Sequence, residues 1–91
     1  LRLVIGTLRE QGLLEDTIIL FTADHGEMLG THGLFGKFLM YENSVKIPFI
    51  LSPPASCGMV CNRVDDRIVE LRDVMPTLLT LAGLKVPDYV E

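Results

Sequence analysis

Leu1, Val4, Ile5 and Leu8 fall at i, i+3, i+4 and i+7, while Arg2, Arg9, Glu10 and Gln11 occupy the other faces. That stripe predicts an amphipathic helix, with Gly12 as its stop. After a short connection, residues 17–22 are too continuously apolar for a half-exposed strand and too short for a helix. They predict a parallel strand covered on both faces. Residues 26–45 read as a loop with glycines at 26, 30, 33 and 36 and one helical turn near residues 40–43. Residues 47–51 form a second apolar run, and Pro48, which lacks a ladder donor, places it at a sheet edge or a strand start. Ser52-Pro53-Pro54 ends it, and residues 55–64 read as a surface excursion. Residues 66–71 are expected to be a third strand, interrupted in character by Arg67 and flanked by Arg72. Asp73 is then a good N-cap for a helix through Leu81, with Pro76 in its first turn and Gly83 as its stop. Val74, Leu78, Leu81 and Ala82 give that helix its expected buried stripe. Helix, brief loop and buried strand make half of an α/β layer unit, so the fold class is α/β.

Composition changes this picture in one respect. The chain has 91 residues, is 48% hydrophobic and has a mean hydropathy of +0.37. A domain of that length has little interior in which to hide so much apolar surface. Its faces are therefore expected to pack on further chain, and residues 1–91 read as one piece of one domain. The first residues agree, since they begin mid-pattern without an initiator Met, a cap or a signal peptide. A net charge of −4 without any basic stripe argues against a nucleic-acid partner. No apolar run approaches the roughly 20 residues that span a bilayer, so this piece carries no membrane segment. Cys57 and Cys61 are open to three readings: a disulfide, half a metal site or two ordinary thiols. The absence of a further Cys or nearby His to complete a zinc set favours the last. The compartment stays open.

The chemistry concentrates between residues 18 and 37. Inside a strand, neighbouring side chains point to opposite faces and cannot share a ligand. Just past the strand's carboxyl end the chain turns, and Gly26 frees that turn, so Asp24 and His25 can converge on one divalent cation. Open α/β sheets place ligands at such strand ends. Lys37, thirteen positions after Asp24, adds a positive charge suited to a tetrahedral oxyanion. It is not the lysine of a Walker loop, because Thr31 and Phe38 stand where Gly and Ser or Thr would be required. His32 either orients a substrate or braces the loop. Glu27 is either a partner for His25 or a solvated carboxylate, and Tyr41, Glu42 and Ser44 fasten the loop. No Gly-x-Ser-x-Gly elbow exists.

Three ordered stretches resemble the sulfatase family of the alkaline phosphatase superfamily. The first is Thr17-Ile-Ile-Leu-Phe-Thr-Ala-Asp-His-Gly-Glu-Met-Leu-Gly30, followed by Gly33-Leu-Phe-Gly-Lys37. The second is Tyr41-Glu-Asn-Ser-Val-Lys-Ile-Pro-Phe-Ile50. The third, Asp73-Val-Met-Pro-Thr-Leu-Leu-Thr-Leu-Ala-Gly83, is similar to the family's D-x-x-P-T-x-L-x-x-A-G helix. The resemblance implies a fragment of a three-layer α/β/α domain. It implies metal ligation by Asp24 and His25, with calcium as the first choice and manganese or zinc as alternatives, and sulfate contact by Lys37. The implied substrate is a sulfate ester, either a small molecule or a glycan. The family's nucleophile is a formylglycine hydrate made from a Cys/Ser-x-Pro/Ala-x-Arg motif. Cys57-Gly-Met-Val-Cys61 lacks the Pro or Ala and the Arg, so the nucleophile is expected outside this chain, and residues 1–91 alone are expected to turn over nothing. Phosphonate monoester and phosphodiester hydrolases share the Asp-His pair and lysine and are the nearest alternative. Phosphoethanolamine transferases are a more distant one, because Met28 replaces their Ser. A non-catalytic metal-binding or interaction segment is the alternative of another class.

Overall fold

The computed structural model describes residues 1–90. Helix α1, Arg2–Glu10, follows the predicted stripe and carries Arg9 in its last turn, where a cation complements the helix dipole. Gly12 takes a left-handed φ of 68°, and the Leu13 N–H donates to Leu8 O at 2.9 Å, closing the helix as a Schellman turn. Helix α3, Val74–Leu81, ends the same way at Gly83, with the Leu84 N–H on Leu79 O at 2.9 Å.

Strand β1, Ile19–Thr22, pairs with β2, Phe49–Ser52, in the register Ile19↔Ser52, Leu20↔Leu51, Phe21↔Ile50 and Thr22↔Phe49. The pairing is antiparallel, not parallel as the apolar run suggested. A parallel return needs a crossover of a dozen or more residues, normally a helix lying on the sheet. Here the connection folds back over the end of β1 and holds a 3₁₀ turn, Thr31–Gly33, and the single-turn helix α2, Glu42–Val45. Neither is β1 covered on both faces, since Phe21 and its cross-strand partner Ile50 are exposed. Pro48 directly precedes β2, as its missing donor required.

No strand forms over residues 66–71, and Ile68 is 92% exposed. The Asp65 carboxylate instead accepts from the Arg67 backbone N–H at 3.2 Å and from its Nε and Nη2, both at 2.8 Å. Arg63 Nη2 adds a fourth bond at 3.3 Å. These short-range bonds curl the chain where a strand would run straight. Asp73 stands before α3, but its side chain does not cap that helix. Its Oδ2 reaches back to accept from the Glu70 N–H at 2.7 Å, completing a capping box around the 3₁₀ turn Leu71–Asp73 that leads into α3.

The architecture is open. The radius of gyration is 16.3 Å, against about 12 Å for a compact chain of this length. Leu78 and Ala82 are exposed, so the stripe expected to be buried on α3 is only half covered, by Val74 and Leu81. Between α1 and the sheet lies a groove of about 430 Å³ lined by Leu1, Ile5, Ile19, Phe21 and Ile50 among others. Among the described residues only Met28 and Ser44 are buried, at 1% and 3% exposure. Both belong to the long connection, so the one enclosed core lies beneath that loop. No helix among the described residues is long and apolar enough to cross a membrane.

Candidate functional site

Strand β1 stops at Thr22 and delivers Asp24 and His25 just beyond its carboxyl end. Asp24 Oδ1 accepts the backbone N–H of His25 at 3.0 Å, which turns Oδ2 toward the imidazole, 3.4 Å from Nε2. His25 Nδ1 lies 2.7 Å from Gly26 O. A carbonyl oxygen can only accept, so Nδ1 carries the hydrogen in that contact and the neutral ring presents the Nε2 lone pair. Two acceptors, Nε2 and Oδ2, are therefore held side by side. They repel unless a cation sits between them. Lys37 Nζ makes its hydrogen bond to that same Nε2. The structure thus brings Asp24, His25 and Lys37 together at one point open to solvent.

The loop is shaped to keep them there. The Gly26 N–H donates to Ser44 O at 2.7 Å, strapping α2 against the turn after His25. A Cβ on Gly26 would fall on the Asn43 carbonyl oxygen, so only glycine permits this approach. The Met28 side chain fills the space beneath. Its N–H donates to Gly36 O at 3.0 Å, while Glu27 Oε1 accepts from the Gly36 N–H at 2.5 Å and the Leu29 N–H at 3.4 Å. Gly36 takes φ 85°, a left-handed turn that aims Lys37 back toward His25. Leu29 and His32 also take positive φ, 48° and 56°, although neither is glycine. Such angles persist only where surrounding bonds enforce them. Here the enforcing bonds include Thr31 N–H to Met28 O at 2.9 Å and Gly30 N–H to Leu34 O at 2.8 Å.

His32 is placed differently from the other candidates. Its ring stacks on Tyr41 with centroids 4.9 Å apart, and it takes no part in the bonds joining Asp24, His25 and Lys37. Asn43 Nδ2 donates to Thr31 Oγ1 at 3.0 Å, a second tie between loop and α2 that sequence reasoning missed. Glu27 bonds to loop backbone and not to His25. Its signal in the sequence, an acid just ahead of a glycine-rich stretch, does not name its partner. Cys57 and Cys61 are free and exposed. Among the described residues no group of three or more His, Cys, Asp and Glu is placed to hold a metal ion. Asp24 and His25 are two donors, fewer than any common divalent cation takes.

Residues 1–84 match the Sulfatase family. The chain is 45% identical over 86 residues to an arylsulfatase of Clostridium perfringens, covering 92% of this chain and 18% of that protein. It superimposes with a TM-score of 0.86 and 34% identity on a protein solved in complex with its substrate D-glucosamine-2-N,6-O-disulfate, covering 96% of this chain and 17% of that one. A phosphonate monoester hydrolase from Silicibacter pomeroyi gives a TM-score of 0.85 and 39% identity, with 97% and 17% covered. The chain therefore spans less than a fifth of the length of these relatives.

Proposed function

The chain belongs to the sulfatase family, and from that premise we propose that it forms one wall of a sulfuric ester hydrolase site. Its α/β fold is a piece of the alkaline phosphatase-like domain of both structural neighbours. In this reading residues 1–91 are part of a longer catalytic domain, whose remaining chain covers the groove between α1 and β1–β2 and supplies the nucleophile, a formylglycine. The observation that carries the reading is the convergence of the Asp24 carboxylate, His25 Nε2 and the Lys37 ammonium.

The donor chemistry fits a divalent cation. Two acceptors 3.4 Å apart, one of them oriented through Nδ1 to a backbone carbonyl, are what adjacent ligands of one ion require. Asp24 and His25 would hold calcium, manganese or zinc together with donors from outside this chain, and Lys37 would give up the Nε2 lone pair it occupies here, leaving its ammonium free for the sulfate. When bound, the ion supplies charge to offset the nonbridging oxygens of the ester. Lys37 binds the sulfate and offsets the negative charge that grows on its oxygens as the ester bond breaks. Stacked on Tyr41, His32 braces the loop. A sulfated sugar is the substrate class we favour, from the disulfated glucosamine on which one structural neighbour acts.

The test is Lys37→Ala and Asp24→Ala in the full-length protein, assayed on p-nitrophenyl sulfate and titrated with calcium, manganese and zinc by calorimetry. Lys37→Ala should cost about a hundredfold or more in kcat/KM, and Asp24→Ala should abolish cation binding. Cation affinity untouched by Asp24→Ala would remove that residue from the metal site. A second reading, phosphonate monoester hydrolysis, is favoured by the likeness to the Silicibacter pomeroyi enzyme. A higher kcat/KM on a phenyl phosphonate monoester than on p-nitrophenyl sulfate would establish it instead.

A further inference from the structure

We infer that Glu27 is a positioning residue for Lys37, acting through the backbone of Gly36. The inference rests on the role proposed above for Lys37. Both polar groups of Gly36 are caught by the segment that follows His25. Its N–H donates to Glu27 Oε1 at 2.5 Å and its carbonyl accepts from the Met28 N–H at 3.0 Å. Lys37 is the next residue, and its ammonium must cross open solvent to reach His25 Nε2. A lysine side chain has four rotatable bonds and loses most of its rotamer freedom when held in one place. Fixing its backbone at the root removes part of that cost in advance. Gly36 also sits in a left-handed conformation, φ 85°, on an exposed loop. Among the described residues its hydrogen bonds are those to residues 27 and 28, which hold it in register with Asp24 and His25. Of these, the bond to Glu27 is made by a side chain, so it is the one that substitution can remove.

Glu27 has no bond to His25, Asp24 or Lys37. Its effect is therefore transmitted through main chain, and reach matters more than charge. Glu27→Gln keeps an acceptor at the same distance from the Gly36 N–H. Glu27→Asp keeps the charge but shortens the arm by one methylene, so the bond to residue 36 is lost. A ligand role or a field effect would rank the two variants the other way.

The experiment uses the full-length protein and steady-state hydrolysis of p-nitrophenyl sulfate. Glu27→Asp is expected to lower kcat by about ten- to a hundredfold, with a smaller change in KM, and Glu27→Gln to stay within about threefold of the starting enzyme. In a Lys37→Ala background, Glu27→Asp should produce less than about a twofold further loss, because residues acting as one unit are not additive. Thermal melts accompany each variant, and Glu27→Ala supplies the same comparison should the aspartate variant unfold. A full, additive loss in the Lys37→Ala background overturns the inference while leaving the role of Lys37 intact. So does a Gln variant as damaged as the Asp variant. Undiminished activity of Lys37→Ala by itself removes the role of Lys37 and this inference with it.

Discussion

Gly26→Ala is the substitution whose consequences the geometry defines most sharply. Gly26 has no unusual φ, so its requirement is purely spatial. An added Cβ would land on the Asn43 carbonyl oxygen and lie 2.9 Å from its carbon and 3.4 Å from the Ser44 carbonyl carbon. All three atoms are main chain in α2, so no rotamer change relieves the clash. The helix must move away from the turn, which breaks the 2.7 Å bond from the Gly26 N–H to Ser44 O. Losing that bond and leaving its partners unpaired costs about 1–3 kcal/mol, and the displaced packing adds about 1–3 kcal/mol. A local loss of about 2–4 kcal/mol follows, taking the lower parts of both ranges because the clash and the broken bond are relieved by the same shift. The Gly26 carbonyl also fixes the imidazole through His25 Nδ1. Removing such an outer support weakens metal binding by about ten- to a hundredfold. Hydrogen–deuterium exchange on the full-length protein should show the Gly26 and Lys46 amides exchanging at least about thirtyfold faster, and calcium calorimetry should show the weaker affinity. Exchange and calcium affinity both equal to those of the starting protein would refute the steric argument.

Met28→Ala should destabilise the loop by about 2–5 kcal/mol, as for other fully buried apolar side chains, and faster exchange of the Thr31 and Gly36 amides would register it. Ser44 Oγ is buried without a hydrogen-bond partner among the described residues, so Ser44→Ala should be neutral or stabilising by about 1 kcal/mol in thermal melts. A clear loss would show that the hydroxyl is bonded to another part of the protein. The side chain of Arg67, then its backbone N–H, hold the Asp65 carboxyl well below the usual carboxylate range. Because the folded value is depressed, the link is present above the ordinary value of about 3.9 and is lost only as the pH falls through the lower one. Carbon NMR should therefore show Asp65 still ionised where a free aspartate is half-protonated, and Arg67→Ala, which keeps the backbone donor, should raise its titration toward the ordinary range without fully restoring it.

Local periodicity was enough to read α1 and α3, and their glycine stops fell where the left-handed Schellman turns require them. The two apolar runs did become paired strands, with Pro48 at the entrance to the second. Strand direction was not legible, because the same continuous run of apolar residues suits either sense. What decides it is how the connection travels, and a loop folded back by Gly26 and α2 carries no periodic signature. The false strand at residues 66–71 has a different origin. Arg67 was read as an interruption of a strand, but Asp65 binds Arg67 two residues on, a contact invisible to a hydrophobic pattern. Asp73 was read as a cap from residue type alone; recognising Glu70 three residues earlier would have revealed the reciprocal box. The meeting of Asp24 and His25 followed from strand geometry, and Lys37 joins them because the loop doubles back. The hinge of that return, Gly36 held by Glu27, depends on bonds between a side chain and distant main chain, and spacing alone does not encode it.

Met28 is enclosed by a stretch of chain that begins and ends near Gly26 and Ser44, and short closures of this kind carry a small entropic cost. During synthesis such contacts are available early, since N-terminal segments leave the ribosome first. A nascent chain that has emerged past Ser44 already contains both halves of the Gly26–Ser44 and Met28–Gly36 bonds. The cradle around His25 can thus take shape before the helix at Val74 has left the ribosome.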